Sequence, residues 1–124
     1  MELNDLNQDE FYSNILQQTA LNGGYSTRLD GTIPTDGYMV GITGESMPSA
    51  TFYRDTEAVE QFAKHYGLLL ALDNHYLGTW DDGVSLVYLD VALKIDTLEE
   101  AKEHGSTLSQ ISIFEVASGD VIYL

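Results

Sequence analysis

His75-Tyr-Leu-Gly-Thr-Trp-Asp-Asp-Gly-Val-Ser-Leu-Val-Tyr-Leu-Asp-Val-Ala-Leu93 is the stretch whose reading decides the fold. Two runs rich in aromatic and β-branched residues flank Asp81-Asp82-Gly83, and an Asp-Gly pair between such runs is a strong hairpin signal. Gly83 can take the positive φ of a tight turn without steric cost. Trp80, the only tryptophan, closes the first arm, and Tyr88 and Val91 come from the second. The hairpin is expected at the centre of a sheet against which the helices pack.

On the N-terminal side, Asn7-Gln-Asp-Glu10 has capping-box spacing, with Asn7 as N-cap. Phe11, Ile15, Leu16, Thr19 and Ala20 follow at helical intervals, and Gly23-Gly24 ends that helix. Residues 25–34 break the pattern, and Asp30-Gly31 and Pro34-Thr-Asp-Gly37 are turn chemistry. Tyr38–Ile42 reads as a short strand, Gly44–Pro48 as a loop and Ala50–Tyr53 as a second arm pairing with the first. Gly41 and Gly44 read as plain turn glycines, because no helix bearing Lys-Ser or Lys-Thr follows them as a phosphate-cradling loop requires. Asp55 or Thr56 caps the next helix, whose stripe is Val59, Phe62, Ala63 and Tyr66. Leu68–Leu72 is expected to continue it as a buried turn.

On the C-terminal side, Asp96–Gly105 reads as a compact helix capped by Asp96 or Thr97 and stopped by Gly105. Gln110–Glu115 reads as a strand with Ile111 and Ile113 on one face, and Val121–Leu124 as the last strand. The whole is a single α+β domain over residues 1–124, with an antiparallel or mixed sheet of about four to six short strands and about three helices.

Composition narrows the function classes. The 124 residues contain no cysteine, which removes disulfides and thiol catalysis and fits a reducing, cytoplasmic setting. No apolar run nears the roughly 18 residues of a membrane span, and Met1–Asp5 lacks the basic start of a signal peptide. Twenty acidic residues against five basic ones give a net charge of −15. Direct nucleic-acid binding is disfavoured, because the cations Arg28, Arg54, Lys64, Lys94 and Lys102 are scattered rather than clustered. Such acidity either serves solubility alone or forms a face for a basic partner.

Catalytic signals are weak. His65, His75 and His104 match no zinc spacing, no serine sits in a nucleophile elbow, and neither metal nor cofactor is expected. Asp81 and Asp82 suit a hairpin tip. Asp90 is odder, an acid within an apolar strand, where it would pair with a cation such as Lys94, face solvent or serve a partner. The eight tyrosines suit a protein contact surface better than base stacking, which needs interleaved basic residues.

From Asp73-Asn-His-Tyr-Leu-Gly-Thr-Trp80 through Val87-Tyr-Leu-Asp-Val91 to Ile113-Phe-Glu-Val-Ala-Ser-Gly119, the chain resembles small acidic proteins of phages, plasmids and integrated elements, especially of actinobacteria. Gly23-Gly24 and Gly37-Tyr-Met-Val40 extend the likeness over most of the chain. The resemblance implies a mobile-element setting, in which such proteins are often anti-CRISPR or antirestriction inhibitors that are similar to DNA in charge. The expectation is a non-enzymatic protein that binds a basic nucleic-acid-binding partner through Tyr76, Trp80, Asp81, Asp82, Asp90, Glu99, Glu100 and Glu103. The rivals are an accessory interaction domain that dimerises through its last strand, and a small enzyme using Asp90 or a histidine.

Overall fold

The computed structural model describes residues 5–124, with side chains from Gln8 onward. In chain order it comprises α1 (Asp5–Asn22), β1 (Gly24–Thr27), β2 (Tyr38–Pro48), α2 (Ser49–Arg54), α3 (Glu57–His65), α4 (Gly67–Leu70), β3 (His75–Asp81), β4 (Leu86–Ile95), α5 (Leu98–Thr107), β5 (Ser112–Glu115) and β6 (Val121–Tyr123). The six strands form one sheet in the order β1-β3-β4-β2-β5-β6, and every pairing is antiparallel. This is the expected α+β class.

The hairpin stands where the sequence placed it. β3 and β4 pair from His75↔Leu93 to Asp81↔Val87, and Gly83 takes a φ of +74° in the turn. Alternation along β4 then divides the sheet into two faces. Leu77, Val87, Leu89 and Val91 point to one, where they pack with Ile15 of α1, Phe52 of α2, Val59 and Phe62 of α3 and Leu70 of α4. Val40, Ile95 and Ile113 continue that face beneath Ala101 of α5. Every described helix therefore lies on the same side of the sheet. The opposite side carries Trp80, Tyr88, Asp90, Tyr76 and Ala92, and no described helix covers it.

Several local expectations need correction. Gly44–Pro48 is not a loop: β2 runs on through it, paired with β4 as far as Pro48↔Leu86 after a bulge between Gly41 and Thr43. Ala50–Tyr53 is not a strand but lies in α2, because Pro48, with its φ of −58°, turns the chain into a helix that buries Phe52. β1 was not anticipated; it begins directly after Gly23, whose φ of +79° ends α1. Helix α1 is already formed at Asp5, so the expected cap at Asn7 falls inside it. The Asn7 side chain and residues 1–4, with the reading made of that terminus, lie outside the described residues.

The stripe of α3 buries Val59, Phe62 and Ala63 as expected, whereas the apolar run after it does not form one buried turn. Leu70 is buried, but Leu68 is 92% exposed because α4 presents only one side to the core. Ile111 likewise precedes β5 and is exposed, leaving Ile113 to enter the core. Thr97 caps α5, its Oγ1 accepting from the N–H of Glu100. Gly105 does not stop that helix, which reaches Thr107. A Cβ there would meet Leu124 Cδ1 at 2.6 Å and Ile113 Cγ2 at 3.1 Å, so the glycine permits close packing of helix on strand.

Candidate functional site

The eight residues singled out from the sequence do not share one surface. Asp81 and Asp82 shape the hairpin. The Asp81 Oδ2 accepts from the Tyr53 hydroxyl at 2.7 Å, and its Oδ1 accepts from the Gly83 N–H. Burial, then this bond to Asp81, pushes the Tyr53 phenol up to about 12. Asp82 Oδ1 accepts from the N–H groups of Val84, Ser85 and Leu86 at 2.8, 2.9 and 3.1 Å. These bonds, Val84's foremost, hold the Asp82 carboxyl below the usual range. Both acids thus satisfy turn backbone that would otherwise lack partners.

Glu99, Glu100 and Glu103 are exposed on α5, on the helix-bearing side of the sheet. Glu100 and Glu103, with His104, Thr107 and Leu108, line a shallow depression of about 410 Å³. Tyr76, Trp80 and Asp90 lie on the other side. Tyr76 is 6% exposed, packed in a small cluster with Met39, Ala92 and Val116, so it is largely unavailable as a contact. Trp80 is 57% exposed and stacks obliquely on Tyr88, the ring centroids 5.5 Å apart at 30°.

Asp90 lies between these two groups. Its cross-strand neighbours are Gly78 on β3 and Gly44 on β2. A Cβ at Gly78 would collide with Asp90 Oδ1, and one at Gly41 would stand 3.4 Å from Oδ2 and 3.7 Å from Gln110 Oε1. A Cβ at Gly44 would collide with the Leu89 carbonyl and stand 3.0 Å from Asp90 Cα. Gly78 and Gly41 therefore border the carboxyl, Gly78 leaving the room it occupies, while Gly44 admits the close approach of the Leu89–Asp90 backbone. Glycine in a strand interior usually marks such a close approach, so the turn reading of Gly41 and Gly44 was wrong for a physical reason. Asp90 forms no hydrogen bond or ion pair among the described residues. The expected partner, Lys94, instead gives its ammonium to Asp36 at 3.0 Å and Asp96 at 3.5 Å. Burial alone pushes the Asp90 carboxyl up to about 6, although the residue keeps an opening to solvent.

This contact between Gly78 and Asp90 has a measurable signature. Gly78→Ala should cost about 1 kcal/mol, since the added methyl displaces the carboxyl or the strand. In Asp90→Ala the obstacle is gone, and the same glycine substitution should be close to neutral. A double-mutant cycle by urea unfolding that returned no coupling would contradict the geometry.

The three histidines stand on different elements, His65 on α3, His75 at the start of β3 and His104 on α5. Among the described residues no group of three or more His, Asp or Glu is placed to hold a metal ion. No described helix is long and apolar enough to cross a membrane. No family model matches the chain, and no curated protein or solved structure matches it significantly.

Proposed function

We propose that this chain is a non-enzymatic binding protein that presents negative charge to a basic, nucleic-acid-binding protein and obstructs its groove. An inhibitor of host defence carried by a mobile element and acting in the host cytoplasm would work in this way. The observation that carries the reading is how little of the charge is neutralised within the fold. Of twenty acidic residues, ion pairs among the described residues engage Asp36, Asp55 and Asp96 alone, through Arg54 and Lys94. Those three carboxylates are themselves more than half exposed, so the pairs are surface pairs that contribute little to stability. The acids of α5 and those scattered over the loops face water, where they supply a steering field.

The test is competition between this chain and duplex DNA for a purified basic nuclease, such as an RNA-guided effector, across a salt series. Displacement should weaken by about tenfold or more between roughly 50 and 200 mM salt, as expected of many charge contacts. Replacing Glu99, Glu100 and Glu103 together with Gln should slow association several-fold, mainly through the on-rate. Displacement equally tight at both salt concentrations, or none from any such nuclease, would remove the reading.

A second reading has one observation in its favour. β6 forms a sheet edge where Val121 and Tyr123 are exposed beside Phe114 on the helix-free side. An accessory domain that self-associates along this edge, with acidity only for solubility, would elute as a dimer, and Tyr123→Lys would return it to a monomer.

A further inference from the structure

We propose that the glycine-bordered notch around Asp90 is a receptor for one arginine side chain of a basic protein, the carboxylate taking the guanidinium and the Trp80–Tyr88 pair taking the aliphatic stem. This deepens the reading above and rests on it, because it assumes that the partner is basic. Three independent features converge on such an occupant. The Asp90 carboxyl is closely surrounded by protein yet has no partner among the described residues, and its oxygens keep contact with solvent, open to a ligand from outside. The carboxyl itself occupies the room that a side chain at Gly78 would take and lies against Gly41, so neither position puts a side chain over it, and it is approached from the helix-free side of the sheet. One rung away along β3 and β4, about 7 Å at two residues of strand rise, Trp80 and Tyr88 offer exposed ring surface.

Arginine matches this arrangement better than lysine. Its planar fork meets a carboxylate through two parallel hydrogen bonds, and its weakly hydrated head and long stem favour aromatic surface. A net charge of −15 raises the local concentration of any such cation. A neutral sugar could also stack on Trp80 and Tyr88, but it would not use the ionised form of the carboxyl or benefit from that field.

Binding should follow the ionisation of Asp90. The groups that face it are the backbone of Gly41 and Gly44 on β2 and of Gly78 on β3, and the Gln110 amide beyond α5. Along the same face stand the phenols of Tyr76 and Tyr88, while Lys94, further along β4, is held by Asp36 and Asp96. None of these supplies a free cation to Asp90. With its carboxyl titrating near 6, the ionised fraction rises about tenfold between pH 5 and 7, and affinity should rise with it.

The test is a backbone-amide and indole NMR titration with a capped Gly-Arg-Gly peptide, at pH 5 and pH 7. The expected shifts are at Gly41, Gly44, Gly78 and the Trp80 indole, with affinity about tenfold higher at pH 7 and the lysine analogue several-fold weaker. Asp90→Asn, which keeps shape and should keep the spectrum of the folded chain, should abolish these shifts. Shifts that gather on α5, that persist in Asp90→Asn, or that appear equally with cellobiose at both pH values would overturn the proposal. If Asp90→Asn still displaces DNA from the nuclease in a salt-dependent way, the notch is overturned and the acidic-surface reading stands. If the notch binds the arginine peptide while no nuclease is displaced, the reverse holds.

Discussion

Phe52→Ala should lower the stability of the folded chain by about 4 kcal/mol, a large fraction of the margin a domain of this size possesses. The ring has no exposure and belongs to the cluster built from Ile15, Val59, Phe62, Leu77 and Leu89. Helix α2, which carries it, has only six residues and could not persist without that anchor. Truncation removes the transfer energy of the ring and leaves a cavity that two sheet strands and three helices cannot easily close. The consequence extends to the hairpin, since Tyr53, edge-on to Phe52 at 4.8 Å, holds Asp81 through its hydroxyl. Urea unfolding should show a lower midpoint at unchanged slope, while Leu68→Ala, at a residue 92% exposed, should show almost none. A loss below about 1 kcal/mol for Phe52→Ala would mean that α2 is not part of the core.

Helix α2 has no signal of its own in the sequence. Ala50-Thr-Phe-Tyr53 contains too few residues to separate a period of 2.0 from one of 3.6, and its β-branched and aromatic content favours a strand. What decides the matter is Phe52 reaching the core, a tertiary effect no four-residue window contains. The hairpin and α3 were legible for the opposite reason. Each repeats its signal over enough positions, the alternation from Leu86 to Ala92 in one and Val59, Phe62 and Ala63 in the other, for local pattern and burial to agree. β1 carries no legible pattern because it is a four-residue edge strand whose hydrogen bonds, not its side chains, place it against β3.

The candidate site divides in the same way. Asp90 stood out as an acid among apolar neighbours, and that oddity was readable. Its surroundings were not, because Gly41, Gly44 and Gly78 come together only through the register of three strands and the bulge in β2. Asp81 and Asp82 suit a hairpin tip by turn propensity, and there they are bonded to the turn backbone, which ties up the oxygens that a partner would use. Glu99, Glu100 and Glu103 share acidity with Asp90 but not a side of the sheet, a relation fixed by where α5 docks.

Asp90→Asn should make the protein more stable at neutral pH, by about 2 kcal/mol, several times what removing one exposed carboxylate from an acidic surface would give. The folded carboxyl titrates near 6, whereas the unfolded chain holds it near the ordinary aspartate value of about 3.9. A folded pKa raised in this way means the native state binds the proton more tightly than the unfolded state. The native state is therefore most favoured below the unfolded value, and that advantage is lost as pH rises through the folded value. Two units correspond to nearly 3 kcal/mol, which the residual opening of the notch to water reduces to about 2. The gain from Asp90→Asn should accordingly be near zero at about pH 3.5, grow between pH 4 and 6, and level off above 7. Paired urea titrations of the two proteins across that range measure it. A flat difference, or a wild-type protein that is the more stable at pH 7, would show that the Asp90 carboxylate is satisfied in the free protein. The notch would then have no unspent charge to offer an arginine. If instead the curve has the expected form, the same carboxylate that weakens the isolated fold is the one a guanidinium would relieve, and arginine binding should stabilise wild type more than Asp90→Asn.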